Sequence, residues 1–97
     1  MKYIKLGKTD ETVSTISLGT WAFGGPGTVG KNIPVGWADQ SKKDSISVLK
    51  KSHDSGINHW DTADVYGDGI SEKIIGETWK DITRSSIFLA TKVGWDM

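Results

Sequence analysis

Three side chains with catalytic chemistry lie near the ends of apolar stretches in this sequence. Asp61 ends the stretch 57–61, Tyr66 follows in the next loop, and Lys92 comes directly after the stretch 87–91. An ammonium next to a phenol favours the phenolate, so such a pair suits proton donation near neutral pH. A carboxylate beside the lysine would keep that cation charged and oriented. Together the three groups could protonate the oxygen of a carbonyl, provided that another molecule supplies a hydride.

These side chains meet if the stretches before them are neighbouring parallel strands. Residues 15–20 and 57–61 are predicted strands, and residues 87–91 form a third that lacks polar alternation. Strands that are apolar on both faces and separated by helices favour a parallel sheet covered on both sides. A parallel βα series carries its functional groups where the strands end, so Thr20 and Trp21 are expected at the same edge of the sheet.

Two helices are predicted between these strands. Ser41 caps the first, and Gly56 ends it in a left-handed conformation. Ser71 is the predicted cap of the second helix. Gly76 costs that helix roughly 1 kcal/mol relative to alanine, so close packing is expected there. The spacing of the second helix predicts a buried face made of Ile74, Ile75, Thr78, Trp79 and Ile82.

The other segments are a hairpin over residues 1–14 and a long loop over residues 22–40. The glycines and prolines of the loop make regular structure unexpected there. Loops of this length in a compact domain tend to be functional or mobile. Trp37 is therefore expected to form an apolar wall at the substrate end, and Trp95 is a weaker candidate for the same role.

The long loop also contains a partial phosphate-binding motif. Residues 25–32 match it except that Asn32 replaces the required serine or threonine. Such a motif needs a helix to begin at its lysine, and Pro34 and Gly36 disfavour one. Binding of a nucleoside triphosphate is therefore not expected.

The composition excludes several classes of protein. The chain has 97 residues, no cysteine, and 12 basic against 12 acidic side chains. These values exclude a disulfide framework and thiolate metal sites, and they predict no binding of nucleic acid or of an anionic membrane. The apolar runs are too short for a transmembrane helix or a signal peptide. The expectation from composition is a soluble, cytoplasmic α/β or α+β protein, and the length by itself predicts one domain.

The two histidines are expected to be structural. His53 lies on the apolar face of the first predicted helix, and His59 shares a strand face with Asp61 and is expected to pack in the core. Their spacing, with no third ligand nearby, does not suit zinc. No metal site is predicted.

The motifs around these residues resemble those of the aldo-keto reductases. The order and spacing of these motifs hold over essentially the whole chain, which is far more specific than a single glycine motif. The resemblance rests on Gly19-Thr20-Trp21, on Gly56-Ile57-Asn58 running into Asp61-Thr62-Ala63-Asp64-Val65-Tyr66-Gly67, on Ser71-Glu72 with Ile75-Gly76, and on residues 87–94.

The resemblance implies a (β/α)8 TIM barrel that binds NADPH without a Rossmann fold and reduces aldehydes and ketones, an oxidoreductase activity. It implies that Asp61, Tyr66 and Lys92 are catalytic, with Tyr66 as the proton donor, and that Thr20, Trp21 and Asp61 lie near the coenzyme. The family's fourth catalytic residue is a histidine at the end of a fourth strand, which is expected beyond residue 97. Since a complete barrel needs about 250 residues, residues 1–97 are expected to form its N-terminal three strands and two helices, preceded by the hairpin.

Simpler interpretations of the same residues stay open. Asp61 could be a turn residue, Tyr66 could close a loop over an apolar rim, and Lys92 could be a solvated surface residue. The alternative function is a catalytically silent remnant or a regulatory subunit with the same fold, like the channel-associated members of the family. A 97-residue segment alone is expected to be inactive, and its two open sheet edges predict self-association or pairing with a complementary chain.

Overall fold

The chain begins with an antiparallel hairpin and continues into alternating strands and helices. The computed structural model describes residues 1–29, 33–36 and 41–93. In chain order the strands and helices are β1 (Tyr3–Lys5), β2 (Thr12–Ser14), β3 (Leu18–Gly19), β4 (Pro26–Val29), β5 (Ile33–Gly36), α1 (Lys42–Asp54), β6 (His59–Asp61), α2 (Ile70–Glu77) and β7 (Phe88–Ala90).

The predicted N-terminal hairpin is confirmed. β1 pairs antiparallel with β2, with Tyr3 opposite Ser14. The Tyr3 hydroxyl donates a 2.8 Å hydrogen bond to the carbonyl of Gly56 at the end of α1. The Asn58 side chain accepts from the amide of Ser14 at 2.7 Å and donates to the carbonyl of Thr12 at 3.2 Å. These bonds fix the hairpin at the amino end of the parallel sheet, opposite the carboxyl ends of its strands.

The parallel sheet is the element that gathers the candidate residues. Its strand order is β3-β6-β7, and both neighbouring pairs are parallel. The register aligns Gly19 with Asp61 and Asp61 with Ala90. The residues that leave the three strands, Thr20, Thr62 and Thr91, therefore come out at one edge, as the predicted parallel arrangement requires.

The core lies between one face of this sheet and the two helices. Leu49 of α1 and Trp60 of β6 are completely buried. Trp60 stacks on Trp79 with 5.9 Å between ring centroids. The buried members of the cluster are Phe23, Leu49, Trp60, Ile74, Ile75, Ile82 and Ile87.

The first helix has the predicted boundaries. The side chain of Ser41 accepts a 3.1 Å hydrogen bond from the amide of Asp44, which satisfies a backbone donor in the first turn. At the other end Gly56 has φ +88°, a left-handed conformation that suits glycine.

The second helix differs from its prediction in three respects. Its N-cap is Gly69, at φ +93°, and no side chain caps it. Ser71 is buried and bonds to other residues, so its predicted capping role is wrong. Regular α-helix ends at Glu77, and a 3-10 turn over Thr78–Lys80 continues the predicted buried face. Gly76 is exposed, and a Cβ at this position would meet no described atom outside its own helix within 4 Å, so the expected close packing is absent among the described residues.

The segment predicted as a long irregular loop contains regular structure. A 3-10 turn spans Trp21–Gly24, and β4 pairs antiparallel with β5. The expectation of no regular structure is wrong for these residues, because two short extended segments can pair with each other despite their glycines and prolines. Trp37, Lys31 and Asn32 lie outside the described residues, and the part of the phosphate-binding motif over Pro26–Val29 is extended strand.

Across the parts of the chain that the structure describes, neither helix has the length and apolar character needed to cross a membrane.

Candidate active site

An ion pair joins the ends of two neighbouring strands. Lys92 Nζ lies 2.8 Å from Asp61 Oδ1, and it donates a second hydrogen bond of 2.7 Å to the carbonyl of Thr62. Each partner side chain is about half exposed, at 51% for the lysine and 44% for the aspartate. The ammonium is thus held by two acceptors while one side of it stays open to a ligand.

The phenol of Tyr66 lies beside this ammonium. Lys92 Nζ is 5.2 Å from the centroid of the Tyr66 ring, within the range of a cation–π contact. The hydrogen bond to Asp61 raises the pKa of Lys92 above its ordinary value, partial desolvation opposes this, and the charges of Asp61 and Tyr66 add to the increase. The structure thus brings together the three residues predicted to be catalytic.

Backbone hydrogen bonds set the positions of Asp61 and Lys92. The Asp61 carbonyl accepts from the amide of Thr20 at 3.0 Å, and the Thr62 amide donates to the Ala90 carbonyl at 2.8 Å. The amide of Asp64 donates to the carbonyl of Lys92 at 3.2 Å. The peptide groups on both sides of the ion pair are therefore fixed to neighbouring strands.

Three completely buried hydroxyls lie directly beneath the ion pair. The Thr20 hydroxyl donates to the Asp61 carbonyl at 2.9 Å. The Ser71 hydroxyl lies 2.9 Å from the hydroxyl of Thr20 and 2.9 Å from that of Thr62. These bonds connect β3, β6 and the start of α2 below the site.

A close contact between two glycines fixes the loop that carries Tyr66. A Cβ on Gly24 would lie 2.6 Å from the carbonyl carbon of Tyr66 and would also overlap the backbone of Gly67. Gly67 itself has φ +64°. Because no side chain fits between these backbones, the loop after β3 holds the loop after β6 directly at Tyr66.

The two residues predicted to lie near a coenzyme differ in accessibility. Trp21 is 47% exposed, and its ring centroid lies 6.4 Å from that of Tyr66. Thr20 is completely buried and its hydroxyl bonds to Asp61 and Ser71. Trp21 therefore presents an aromatic surface next to the phenol, whereas the Thr20 side chain faces the interior.

Each histidine contacts a residue outside the ion pair. His59 contacts Phe88 edge to face, with 5.5 Å between ring centroids, and His53 Nδ1 lies 3.8 Å from a carboxylate oxygen of Asp54. No group of three or more histidine, aspartate or glutamate side chains that could hold a metal ion occurs among the described residues. Trp95, the weaker of the two predicted wall residues, lies outside them.

Sequence reasoning missed Ser71 and Gly24 as part of the site. The local sequence pattern predicts that Ser71 is the N-cap of the second helix. Because the N-cap is Gly69 instead, the Ser71 hydroxyl is available to other partners. Gly24 lies in a glycine-rich segment that predicts a loop but not a contact with a residue as distant in the chain as Gly67. The motif Ser71-Glu72 could have indicated that Ser71 belongs to the site. Its second residue, Glu72, accepts a 2.8 Å hydrogen bond from the hydroxyl of Thr91 at the edge of the site.

Comparison with known proteins identifies the family of this chain. The model of the aldo/keto reductase family matches residues 15–97. The NADH-specific methylglyoxal reductase of Escherichia coli is 39% identical over 94 residues, covering 97% of this chain and 27% of that protein. A probable voltage-gated potassium channel subunit beta of Arabidopsis thaliana is 35% identical over 97 residues, covering 98% of this chain and 26% of that protein.

The fold agrees with this match. An aldo-keto reductase from Bacillus halodurans, solved in its holo form, superposes with a TM-score of 0.74 at 32% identity, covering 97% of this chain and 26% of that chain. The chain thus spans about a quarter of the length of the relatives it matches. Its three parallel strands and two helices are the predicted α/β portion of a TIM barrel. The chain belongs to the aldo/keto reductase family.

Proposed function

We propose that the protein reduces aldehydes or ketones to alcohols with NADPH, and that Tyr66 donates the proton. The observation that carries this proposal is the Lys92 ammonium, which is held 2.8 Å from Asp61 and 5.2 Å from the centroid of the Tyr66 ring. Family membership supports the reaction class, since its members include a methylglyoxal reductase.

Each of the three residues has a distinct task in this reaction. The Tyr66 hydroxyl donates its proton to the carbonyl oxygen, and its O–H bond breaks as the product O–H bond forms. The adjacent Lys92 ammonium stabilises the phenolate that remains, until solvent returns the proton. Asp61 holds the ammonium beside the ring through a 2.8 Å hydrogen bond, and this bond also raises the pKa of Lys92.

The exposed residues of the site fit a reduced nicotinamide. Trp21 and Tyr66 offer neighbouring aromatic surfaces, with 6.4 Å between their ring centroids, at the open side of the ion pair. A coenzyme bound there would supply the hydride for the carbonyl carbon. Because the methylglyoxal reductase of Escherichia coli is NADH-specific, turnover is to be measured with NADPH and with NADH.

The decisive variant is Tyr66→Phe in the natural full-length protein. It should lower kcat for a small aldehyde such as methylglyoxal by about 10²- to 10⁴-fold, the usual contribution of a general acid, while the coenzyme Kd stays unchanged. Turnover is followed by loss of reduced-nicotinamide absorbance, and coenzyme binding by fluorescence titration. A variant with near wild-type kcat would contradict the role of Tyr66.

Tyr3→Phe is the matched control. This tyrosine is 47% exposed, and its hydroxyl donates to the Gly56 carbonyl at the amino end of the sheet, far from the strand ends. Loss of its hydroxyl should leave kcat unchanged. An equal loss of activity in both variants would indicate a general effect on folding.

A regulatory subunit is the second candidate function, and the Arabidopsis relative described as a probable channel subunit beta favours it. A regulatory protein would bind the coenzyme but show no turnover over a panel of aldehydes and ketones. Turnover that depends on Tyr66 would exclude this function as the sole one.

A further inference from the structure

The buried hydroxyls beneath the site form a chain with one direction. Thr20 Oγ1 donates to the Asp61 carbonyl at 2.9 Å, so the single hydrogen of Ser71 Oγ goes to Thr20, with Oγ1 at 2.9 Å and the carbonyl at 3.2 Å. The 2.9 Å bond between Ser71 and Thr62 is then donated by Thr62. The chain runs from Thr62 through Ser71 and Thr20 to Asp61, and Ser71 is its central link.

Ser71 also holds the loop that carries the phenol. Its backbone amide donates a 3.2 Å hydrogen bond to the carbonyl of Tyr66. One residue thus binds the Tyr66 loop through its amide and the ends of β3 and β6 through its hydroxyl. The Lys92 ammonium donates to Asp61 Oδ1 and to the Thr62 carbonyl, and both of these residues are linked to Ser71 through the hydroxyl chain.

We propose that Ser71 is a positioning residue for the reaction, because its hydroxyl sets where Asp61 and Thr62 hold the Lys92 ammonium relative to the Tyr66 ring; this inference rests on the proposed function. The hydroxyl is completely buried, so it acts through its neighbours and not on substrate or coenzyme. Removing it leaves the Thr62 donor and the Thr20 acceptor without their partner in a buried space. The two threonines then turn to other partners, and the peptide groups around the ammonium move with them.

The test compares Ser71→Thr with Ser71→Val in the full-length protein. Both substitutions add bulk at the same place, so crowding affects both, and only threonine keeps the hydroxyl. Ser71→Val should have a kcat about tenfold below that of Ser71→Thr, with the carbonyl KM and the coenzyme Kd alike in the two. Equal kcat values, normalised to the fraction of protein that binds coenzyme, would overturn the proposal.

A second pair of variants applies if the added methyl prevents folding. Ser71→Ala removes the hydroxyl without adding volume, and Ser45→Ala is its control, since Ser45 is equally buried and bonds to the Ser41 carbonyl at the start of α1. Ser71→Ala should lower kcat about tenfold and Ser45→Ala should not. An equal effect of the two variants would reduce Ser71 to a packing role and overturn the proposal.

A measurement that needs no turnover separates this inference from the proposed function. Asp61 and Tyr66 are the titratable groups placed against the Lys92 ammonium among the described residues. The titration of Lys92 is followed by NMR of isotope-labelled lysine, with the resonance assigned through Lys92→Arg. The pKa of Lys92 should be lower in Ser71→Val than in Ser71→Thr. A wild-type protein without carbonyl reductase activity would refute the proposed function, and this titration would still decide whether Ser71 positions the ammonium.

Discussion

The N-cap of helix α1 is a serine whose side chain bonds to the helix itself, whereas the N-cap of α2 is a glycine and the serine in its first turn bonds to residues at the strand ends. In α1, Ser41 Oγ accepts from the Asp44 amide, so the cap satisfies a donor of the first turn. In α2, Gly69 is the N-cap with a left-handed φ of +93°, and Ser71 bonds to Thr20 and Thr62 instead.

The difference follows from what each helix start has beside it. The start of α1 is exposed at Ser41, so its hydroxyl serves the first turn of its own helix. The start of α2 packs under the ion pair, where buried threonine hydroxyls need partners. The glycine N-cap of α2 costs roughly a few tenths of a kcal/mol relative to a serine cap, and the serine hydroxyl bonds to the threonines at the strand ends instead. Ser41 is therefore expected to affect stability alone, whereas Ser71 is expected to affect the reaction.

Asp61→Asn should give the largest effect of these variants. Loss of the carboxylate charge should lower kcat by about 10²-fold, since the ion pair no longer holds the ammonium in place beside Tyr66. It should also lower the pKa of Lys92 toward the ordinary value. The raised pKa of Lys92 means that the ion pair adds stability at neutral pH and loses it as pH rises through that pKa.

The pH dependence provides the check. The difference in unfolding free energy between wild type and Asp61→Asn should be constant from neutral pH to about the ordinary lysine pKa of 10.4, and it should shrink above it. Denaturant titrations at several pH values measure it. A difference that grows with alkaline pH would contradict the assigned ion pair.

Gly24→Ala should have the next largest effect, on activity and stability together. The added Cβ would overlap the backbone of Gly67 and Tyr66, which must move apart. Overpacking of this kind costs about 1–3 kcal/mol, and displacement of Tyr66 should lower kcat about tenfold. Thermal unfolding and steady-state kinetics measure the two effects. Unchanged kcat would show that the glycine contact does not set the position of the phenol.

Ser41→Ala should affect stability alone. The variant loses the bond to the Asp44 amide and should be destabilised by about 1 kcal/mol, with kcat unchanged. It is the counterpart of Ser71→Ala, which should lower kcat. Denaturant unfolding and initial rates on the same preparations compare them, and a drop in kcat for Ser41→Ala would remove the distinction between the two helix starts.

Gly76→Ala should have the smallest effect, with the opposite sign. Gly76 is exposed in α2, and a Cβ there meets no atom of the described residues outside its own helix within 4 Å. Alanine should therefore stabilise the protein by about 0.5–1 kcal/mol through higher helix propensity. It is also the steric control for Gly24→Ala. A destabilised Gly76→Ala variant would indicate a contact with a part of the protein outside the described residues.

The strand ends and their chemistry were predictable from the sequence. Asp61 ends one predicted strand, Tyr66 lies in the loop after it, and Lys92 follows the next strand. In a parallel sheet the carboxyl ends of the strands lie at one end of the sheet, so the proximity of these residues follows from topology alone. The N-terminal hairpin and both ends of α1 were also predictable, because turn residues and caps act over a few neighbouring positions.

Features that depend on distant partners were not predictable in the same way. Ser71 fits the local pattern of a cap, but its hydroxyl finds Thr20, which lies 51 residues earlier in the chain. Gly76 suggested close packing, yet it faces outward. The pairing of β4 with β5 was missed because glycine and proline lower strand propensity, whereas backbone pairing depends on the partner strand.

The contact between Gly24 and Gly67 restricts how this protein can change during evolution. When two side chains touch, enlargement of one is often offset by a smaller residue at the other. Here both positions already hold the smallest residue, and the contact is between backbones. No second substitution within the pair can relieve a first one, so relief must come from a shift of the whole loop that carries Tyr66. Mutational routes that pass through either glycine are therefore closed unless the length or path of that loop changes as well.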